Sequence, residues 1–359
     1  MADSVVVQEL NATVVGDEAK VATRAPSKSV SLSKAPRVTA LDFTKGALVV
    51  IMVLYHWLNY FVRVDGDVYK YIRFLTPSFI FISGVLISQV YFSTKTPPRS
   101  DLCSRLLVRG LKLLALVAVL NIALSTVLVQ GLGARVQALS PAAAVTAFFL
   151  GTYPVAFSVL VPIAYLLILA AILSPVFRRY PYTFHITSAL FVTCALVLNF
   201  LNNSNSYIDI FSIGTLGISI GHLSIERVNH FVKRPITMIV AYILYLVAIT
   251  IWNVIYPLQI IGVCLSVSLI YLLGLALSES GSFDRMVVLL GQYSLFGYIA
   301  QILILQMLRR GAHLLDGGAA VSIAAFLICL VATLVSVALM DKSRARVRSV
   351  NTVYKAVFG

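Results

Sequence analysis

The stretch LDFTKGALVVIMVLYHWLNYF, residues 41–61, decides how the chain folds. Its length and apolar content match one crossing of a bilayer by an α-helix, which needs about 20 residues. Four polar side chains nevertheless interrupt it: Asp42, Lys45, His56 and Asn59. Because polar side chains that face lipid are costly, the stretch predicts a membrane helix whose polar face lies inside a bundle.

Comparable apolar segments recur along the whole chain. Of its 359 residues, 59% are hydrophobic and only 12% are charged. This composition predicts an all-α integral membrane protein, a bundle of about ten transmembrane helices. The predicted spans are 41–62, 72–92, 106–129, 155–177, 184–202, 207–223, 235–255, 257–277, 286–308 and 319–340. The apolar segment 141–153 is too short for a span and favours an interfacial or re-entrant position.

The basic residues indicate the orientation of this bundle. Ten spans place most basic loops on one side, together with both ends of the chain, so the positive-inside rule predicts cytoplasmic N- and C-termini. An eleventh span would move either Arg178 and Arg179 or the basic C-terminal end to the opposite side. Arg63, Lys70 and Arg73 are exceptions to the rule.

The chain divides into three predicted regions. Residues 1–36 are polar and predict a disordered cytoplasmic tail, residues 37–341 form the membrane domain, and residues 342–359 form a basic cytoplasmic tail. The formal net charge is +14, but the basic residues flank apolar segments, which is typical of membrane topology. The predicted partner is therefore the lipid bilayer and not a nucleic acid.

The polar residues of the first span share one helix face. Lys45 and His56 are eleven residues apart, so at about 100° per residue they return to within roughly 20° of each other, about 16 Å apart along the axis. Asp42 precedes Lys45 by three residues, and Asn59 and Tyr60 follow His56 by three and four. Taken alone, His56 is as well explained by a structural hydrogen bond, and Lys45 by a side chain that reaches back to the interface.

The start of the third span and the second span hold further candidates. Three cations share one helix face, which favours either phosphate binding or flanking charge: Arg105, Arg109 and Lys112. In the second span Ser83 precedes Gly84, and small residues there let a ligand or another helix approach.

The ninth span holds a second polar face. Ser294, Tyr298 and Gln301 recur at spacings of four and three, and in hydrocarbon they need partners on another helix or on a ligand. No spacing of His, Cys, Asp or Glu matches a metal site, so no metal is predicted.

Several of these motifs occur together. RVTALDFTKGALVVIMVLYHW opens the first span, FIFISGVLI lies in the second and LGQYSLFGYIAQ in the ninth. In this combination residues 37–340 resemble the acyltransferase type 3 family of integral-membrane acyltransferases, which have about ten transmembrane helices and cytoplasmic termini. The family's arginine and histidine fall on Lys45 and His56, with lysine in place of arginine. Gln301 stands where the family often has a histidine.

The resemblance implies an activity and roles for the candidate residues. It implies that the domain transfers an acyl group, first of all acetyl from acetyl-CoA, to a hydroxyl of an envelope or exported glycan or glycolipid, in the cytoplasmic (inner) membrane. His56 is then the catalytic base or a transient acyl carrier, and Asp42 orients Lys45. The implied CoA-binding residues are Lys45, Arg105, Arg109 and Lys112, and the implied substrate-binding residues are Asn59, Tyr60, Ser83, Ser294 and Tyr298.

The residues alone leave two other classes of function open. A proton-coupled transporter of small molecules would use Asp42, Lys45 and His56 as a path across the membrane. A non-catalytic membrane scaffold would tolerate the replacement of each of them. Release of CoA from labelled acetyl-CoA separates an enzyme from both alternatives.

Overall fold

The structure, a computed structural model, describes residues 39–62, 66–92, 101–127, 157–277, 282–313 and 318–358. All regular elements among these residues are helical. Seven of the helices in these ranges are long and apolar enough to cross a membrane, or up to nine spans if each of two sharply bent helix pairs counts as one. The prediction of an all-α integral membrane protein is therefore confirmed. The predicted tail 1–36, the segment 141–153 and Arg63 lie outside the described residues.

Fourteen α-helices and one π-helix follow one another in the described part of the chain. The first is α1 (Thr39–Trp57), which continues as the π-helix (Leu58–Val62). The others are α2 (Gly66–Tyr69), α3 (Leu75–Tyr91), α4 (Leu102–Val127), α5 (Leu160–Arg179), α6 (Thr183–Phe200), α7 (Ser206–Gly221), α8 (Ile225–Val232), α9 (Pro235–Trp252), α10 (Tyr256–Leu277), α11 (Ser282–Gln292), α12 (Ser294–His313), α13 (Ala319–Arg346) and α14 (Arg348–Phe358).

The predicted apolar segments lie largely in helices where the structure describes them, with two differences. α3 has 17 residues, and at about 1.5 Å per residue it is shorter than the roughly 30 Å apolar layer of a bilayer. The predicted span 286–308 is not straight, because the chain bends by 93° between α11 and α12. The prediction of one continuous helix there is wrong.

Tyr293 lies at this bend and is held by the end of α13. Its hydroxyl donates a hydrogen bond to Asp341 Oδ1 at 2.7 Å and accepts one from Arg344 Nη1 at 2.9 Å. The Arg344 guanidinium carbon also lies 4.0 Å from the centre of the Tyr354 ring of α14. The contacts that hold the bend thus come from α13 and α14, far along the chain, and the local apolar pattern does not reveal them.

α1 lies at the centre of the bundle. It contacts α3, α10, α11, α12 and α13, and its side chains Leu48, Val49, Met52 and Val53 are almost completely buried. At one end Asp42 is buried as well. At least one residue of the polar face of α1, Asp42, is therefore held against other helices.

Two glycines allow α1 and α11 to touch backbone to backbone. A Cβ atom at Gly46 would collide with the Val287 carbonyl oxygen, and a Cβ atom at Gly291 would collide with the Asp42 carbonyl oxygen. Only glycine leaves room for this approach, since the nearest atoms belong to the backbone and cannot swing aside. The contact holds the end of α1 that carries Asp42 against the helix that leads into the bend.

We expect Gly291→Ala to separate α1 from α11 and to lower the free energy of unfolding by about 1–3 kcal/mol, the usual cost of overpacking. Gly311→Ala is the matched control, because nothing lies within 4 Å of a Cβ there and alanine is the better helix former. Thermal unfolding of the purified protein in detergent compares the two. Equal unfolding temperatures would contradict the tight contact.

Candidate active site

One end of α1 carries a partly buried ion pair. Lys45 Nζ lies 2.6 Å from Asp42 Oδ1, and the two side chains are only 16% and 13% exposed. The three-residue spacing puts both groups on one helix face, as the sequence predicts. Because the carboxylate holds the ammonium group, the positive charge has a fixed position at this end of the bundle.

Further along α1, His56 lies among tyrosine rings. The centre of its ring is 5.3 Å from that of Tyr55, 5.7 Å from that of Tyr60 and 6.4 Å from that of Tyr298. The Tyr60 ring is stacked on the imidazole, and Tyr298 belongs to α12. The structure thus brings together three predicted site residues that come from two different helices.

One nitrogen of the His56 ring is free. Nε2 is buried and has no hydrogen-bond partner among the residues that the structure describes. A buried polar atom without a partner costs about 1–3 kcal/mol, so such atoms are few in native proteins. This nitrogen is therefore available to a bound molecule, from which an imidazole can take a proton or an acyl group.

α1 changes into the π-helix directly after Trp57, one residue beyond His56. This wider turn, residues Leu58–Val62, contains Asn59 and Tyr60, and such turns often occur at functional sites. Just before it, Trp57 Nε1 donates a hydrogen bond to the Ser322 carbonyl oxygen of α13 at 2.6 Å. The turn is thereby tied to α13, which fixes where its side chains point relative to the imidazole.

Aromatic residues from two more elements enclose Tyr298. Its ring centre lies 6.2 Å from that of Phe79 in α3 and 6.0 Å from that of Phe157, which precedes α5. Phe157 has a φ of 61°, a costly conformation for a bulky residue, although its side chain is buried. Sequence reasoning missed both phenylalanines, since many aromatic residues occupy the spans. Their apolar surfaces limit water around the site, and electrostatic interactions are stronger in such surroundings.

Gln301 follows Tyr298 by three residues and is fully buried. Neither its Oε1 nor its Nε2 atom has a hydrogen-bond partner within the described part of the chain. Burying an amide side chain, which can both donate and accept hydrogen bonds, costs free energy unless a hydrogen-bond partner is bound to it. The predicted face of Tyr298 and Gln301 on α12 therefore presents unused polar atoms to the inside of the bundle.

The three cations predicted for CoA binding lie on α4. Arg105 forms an ion pair with Asp101, the residue directly before α4. Arg109 donates a hydrogen bond to the hydroxyl of Tyr91 at the end of α3. Arg105 and Arg109 are exposed, and Lys112 is partly buried. No contact described in the structure joins this group to the ion pair of α1.

Other predicted residues do not contact the imidazole. Ser83 Oγ donates to the Phe79 carbonyl oxygen of its own helix at 2.7 Å. In the described ranges no hydrogen bond or ring contact joins Asn59, Ser83 or Ser294 to His56. The same ranges contain no group of three or more His, Cys, Asp or Glu that could hold a metal ion.

Two residues at the far end of α12 contact Tyr60 and were not predicted as site residues. Gln306 Nε2 donates to the Tyr60 hydroxyl at 3.5 Å, and the Arg309 guanidinium carbon lies 5.8 Å from the centre of the Tyr60 ring. A signal was present in the sequence, because Arg309 follows a span at the end predicted to face outside. Basic residues are disfavoured there.

A histidine with a buried, free nitrogen, beside the tyrosine rings of a multi-pass helical bundle, is suited to group transfer inside a membrane. A family model described as an acyltransferase domain matches residues 38–341. The chain therefore belongs to the acyltransferase 3 family, and it is an integral membrane acyltransferase. No curated protein and no solved structure matches the chain.

We expect Asp42→Asn to leave the Lys45 charge without its partner and to lower the free energy of unfolding by roughly 1–3 kcal/mol. Asp101→Asn removes the carboxylate of the more exposed pair with Arg105 and should cost at most about 1 kcal/mol. Unfolding of both variants in mixed micelles measures the difference. A loss for Asp42→Asn no larger than that for Asp101→Asn would contradict a structural role for the buried pair.

Proposed function

We propose that the protein transfers an acyl group, first of all acetyl, from cytoplasmic acyl-CoA to a hydroxyl of an envelope or exported glycan or glycolipid. The observation that carries this proposal is the free, buried Nε2 of His56 in the aromatic pocket. The family supplies the reaction class. The protein would act in the cytoplasmic membrane, with both termini in the cytoplasm.

His56 would act as the base or as a transient acyl carrier. As a base, Nε2 takes the proton of the acceptor hydroxyl while the hydroxyl oxygen attacks the thioester carbon. The carbon–sulfur bond then breaks, and the proton passes from the imidazole to the CoA sulfur. As a carrier, Nε2 itself attacks the thioester carbon, the carbon–sulfur bond breaks, and the proton that the ring gives up passes to the CoA sulfur. The acceptor oxygen then attacks the acyl carbon, the acyl–nitrogen bond breaks, and the hydroxyl proton returns to the imidazole. Both routes need a ring nitrogen without a partner in the resting protein, and the free Nε2 of His56 supports the proposal.

The donor would enter from the end of α1 that holds Lys45. The eleven residues between Lys45 and His56 correspond to about 16 Å of helix, a length that the extended pantetheine arm of CoA can span. Lys45 would meet the CoA moiety, and Arg105, Arg109 and Lys112 would meet its phosphates. In support, Lys45 and Arg109 lie six and seven residues from the first residues of α1 and α4, and both helices start on the same side in the proposed topology.

The acceptor would enter from the opposite end, past the π-helix. The rings of Tyr60 and Tyr298 lie beside the imidazole, and their hydroxyl groups are donors of the kind that can stabilise the oxyanion formed when the thioester is attacked. Asn59, Ser83 and Ser294 are the remaining proposed substrate contacts, and Asp42 positions Lys45. The donor and the acceptor would thus enter from opposite ends and meet at Nε2 of His56.

We expect His56→Ala to lower acyl transfer by at least about 100-fold, because general acid–base catalysis contributes 10²–10⁴. His230→Ala is the matched control, since His230 is exposed on α8. Purified protein in nanodiscs is incubated with labelled acetyl-CoA, and CoA release and label on acceptor are measured. Undiminished transfer by His56→Ala would exclude His56 as the catalytic base. Acetyl-CoA that stays uncleaved in the presence of wild-type protein would favour the transporter.

Lys45→Ala should raise the KM for acetyl-CoA about tenfold or more, the loss expected for one charged contact. Lys45→Arg should stay close to wild type, because it keeps the positive charge on a long side chain. Lys233→Ala removes an exposed lysine near α8 and serves as the control. An unchanged KM in Lys45→Ala would remove Lys45 from the donor site.

A further inference from the structure

A second cation lies at the end of the site opposite Lys45. Arg309 is on the last turns of α12, and its guanidinium carbon lies 5.8 Å from the centre of the Tyr60 ring. Tyr60 in turn stacks on His56, with ring centres 5.7 Å apart. Side chains of a helix point toward its N-terminus, so Arg309 leans back toward the pocket. This positive charge and the imidazole therefore both lie beside the ring of Tyr60.

Arg309 has no carboxylate partner among the residues that the structure describes. The ion pairs Lys45–Asp42, Lys70–Asp67 and Arg105–Asp101 do not involve it. Arg309 is nevertheless partly buried, and a cation removed from water is costly without an opposite charge. Its contact with the face of Tyr60 leaves the N–H donors in the guanidinium plane free for a planar anion.

A residue near Arg309 on α12 contacts the same tyrosine. Gln306 precedes it by three residues on the same helix face, and its Nε2 donates to the Tyr60 hydroxyl at 3.5 Å. The next residue, Arg310, is exposed and therefore offers an adjacent arginine for comparison. Two contacts with one tyrosine thus connect this end of α12 to the turn that carries the ring beside His56.

We propose that Arg309 binds a carboxylate or phosphate of the acceptor, so that the acceptor is an anionic glycan or glycolipid. The inference rests on the proposed function and adds the chemical class of its substrate. The acylated hydroxyl lies beside His56, and the negative charge of the same acceptor lies beyond Tyr60 at the guanidinium. Arg309 takes no part in the bonds that form or break and acts as a specificity-determining residue.

The test uses the full chain expressed in cells that lack it. Glycans and glycolipids from cells with and without the protein are compared by mass spectrometry, and the acylated species is identified. It should carry a carboxylate or phosphate. Arg309→Gln should lower its amount at least about tenfold, the loss expected for one charge-assisted contact. Arg309→Lys should restore part of it, while Arg310→Gln, at an equal protein level, should stay near wild type.

The outcomes separate the inference from the proposed function. A neutral acylated product would overturn the inference and leave the acyl transfer intact. The absence of any acylated product would overturn the proposed function and the inference with it. Equal losses in Arg309→Gln and Arg310→Gln would contradict a specific contact.

A phosphate could also belong to a membrane lipid, and a separate measurement distinguishes this source. Native mass spectrometry of the purified protein with phosphatidylglycerol counts bound lipid in wild type and in Arg309→Gln. Unchanged lipid binding together with loss of the anionic acylated product is the expected result. Loss of bound lipid without loss of that product would assign Arg309 to lipid and overturn the proposal.

Discussion

The backbone contact of α1 with α11 at Gly46 and Gly291 is the constraint on which the rest of the site depends. At this contact the end of α1 that carries the Asp42–Lys45 ion pair packs against α11, the helix before the bend. After the bend α12 runs beside the other half of α1 and brings Tyr298 to the imidazole. This close contact lies at the charged end of α1, the bend follows directly after it in the chain, and the bend leads to the helix that carries Tyr298.

Much of the fold could be predicted from the sequence, because apolar length is a local property. The apolar segments fall largely on helices where the structure describes them, and the polar face of the first span lies inside the bundle. The bend after α11 could not be predicted in the same way. Tyr293 is held there by Asp341 and Arg344, residues about fifty positions away, and hydropathy does not encode such contacts.

Helix spacing predicted contacts between residues of the same helix, but not contacts between different helices. Spacing on one helix correctly joined Asp42 to Lys45 and placed Tyr60 near His56. It could not show which residues of other helices meet the imidazole, so Phe157 was missed. The cations of α4 share a face, yet their described contacts are with Asp101 and Tyr91. Whether they also bind a donor stays a prediction.

The most direct test of the central claim is a cryo-electron microscopy structure in nanodiscs with a non-hydrolysable acetyl-CoA analogue. The account predicts the CoA phosphates at the end of α1 that carries Lys45, and the acyl carbon within about 3.5 Å of His56 Nε2, the reach needed for proton or acyl transfer. An acyl group bound away from His56, or CoA that enters from the Arg309 end, would contradict it.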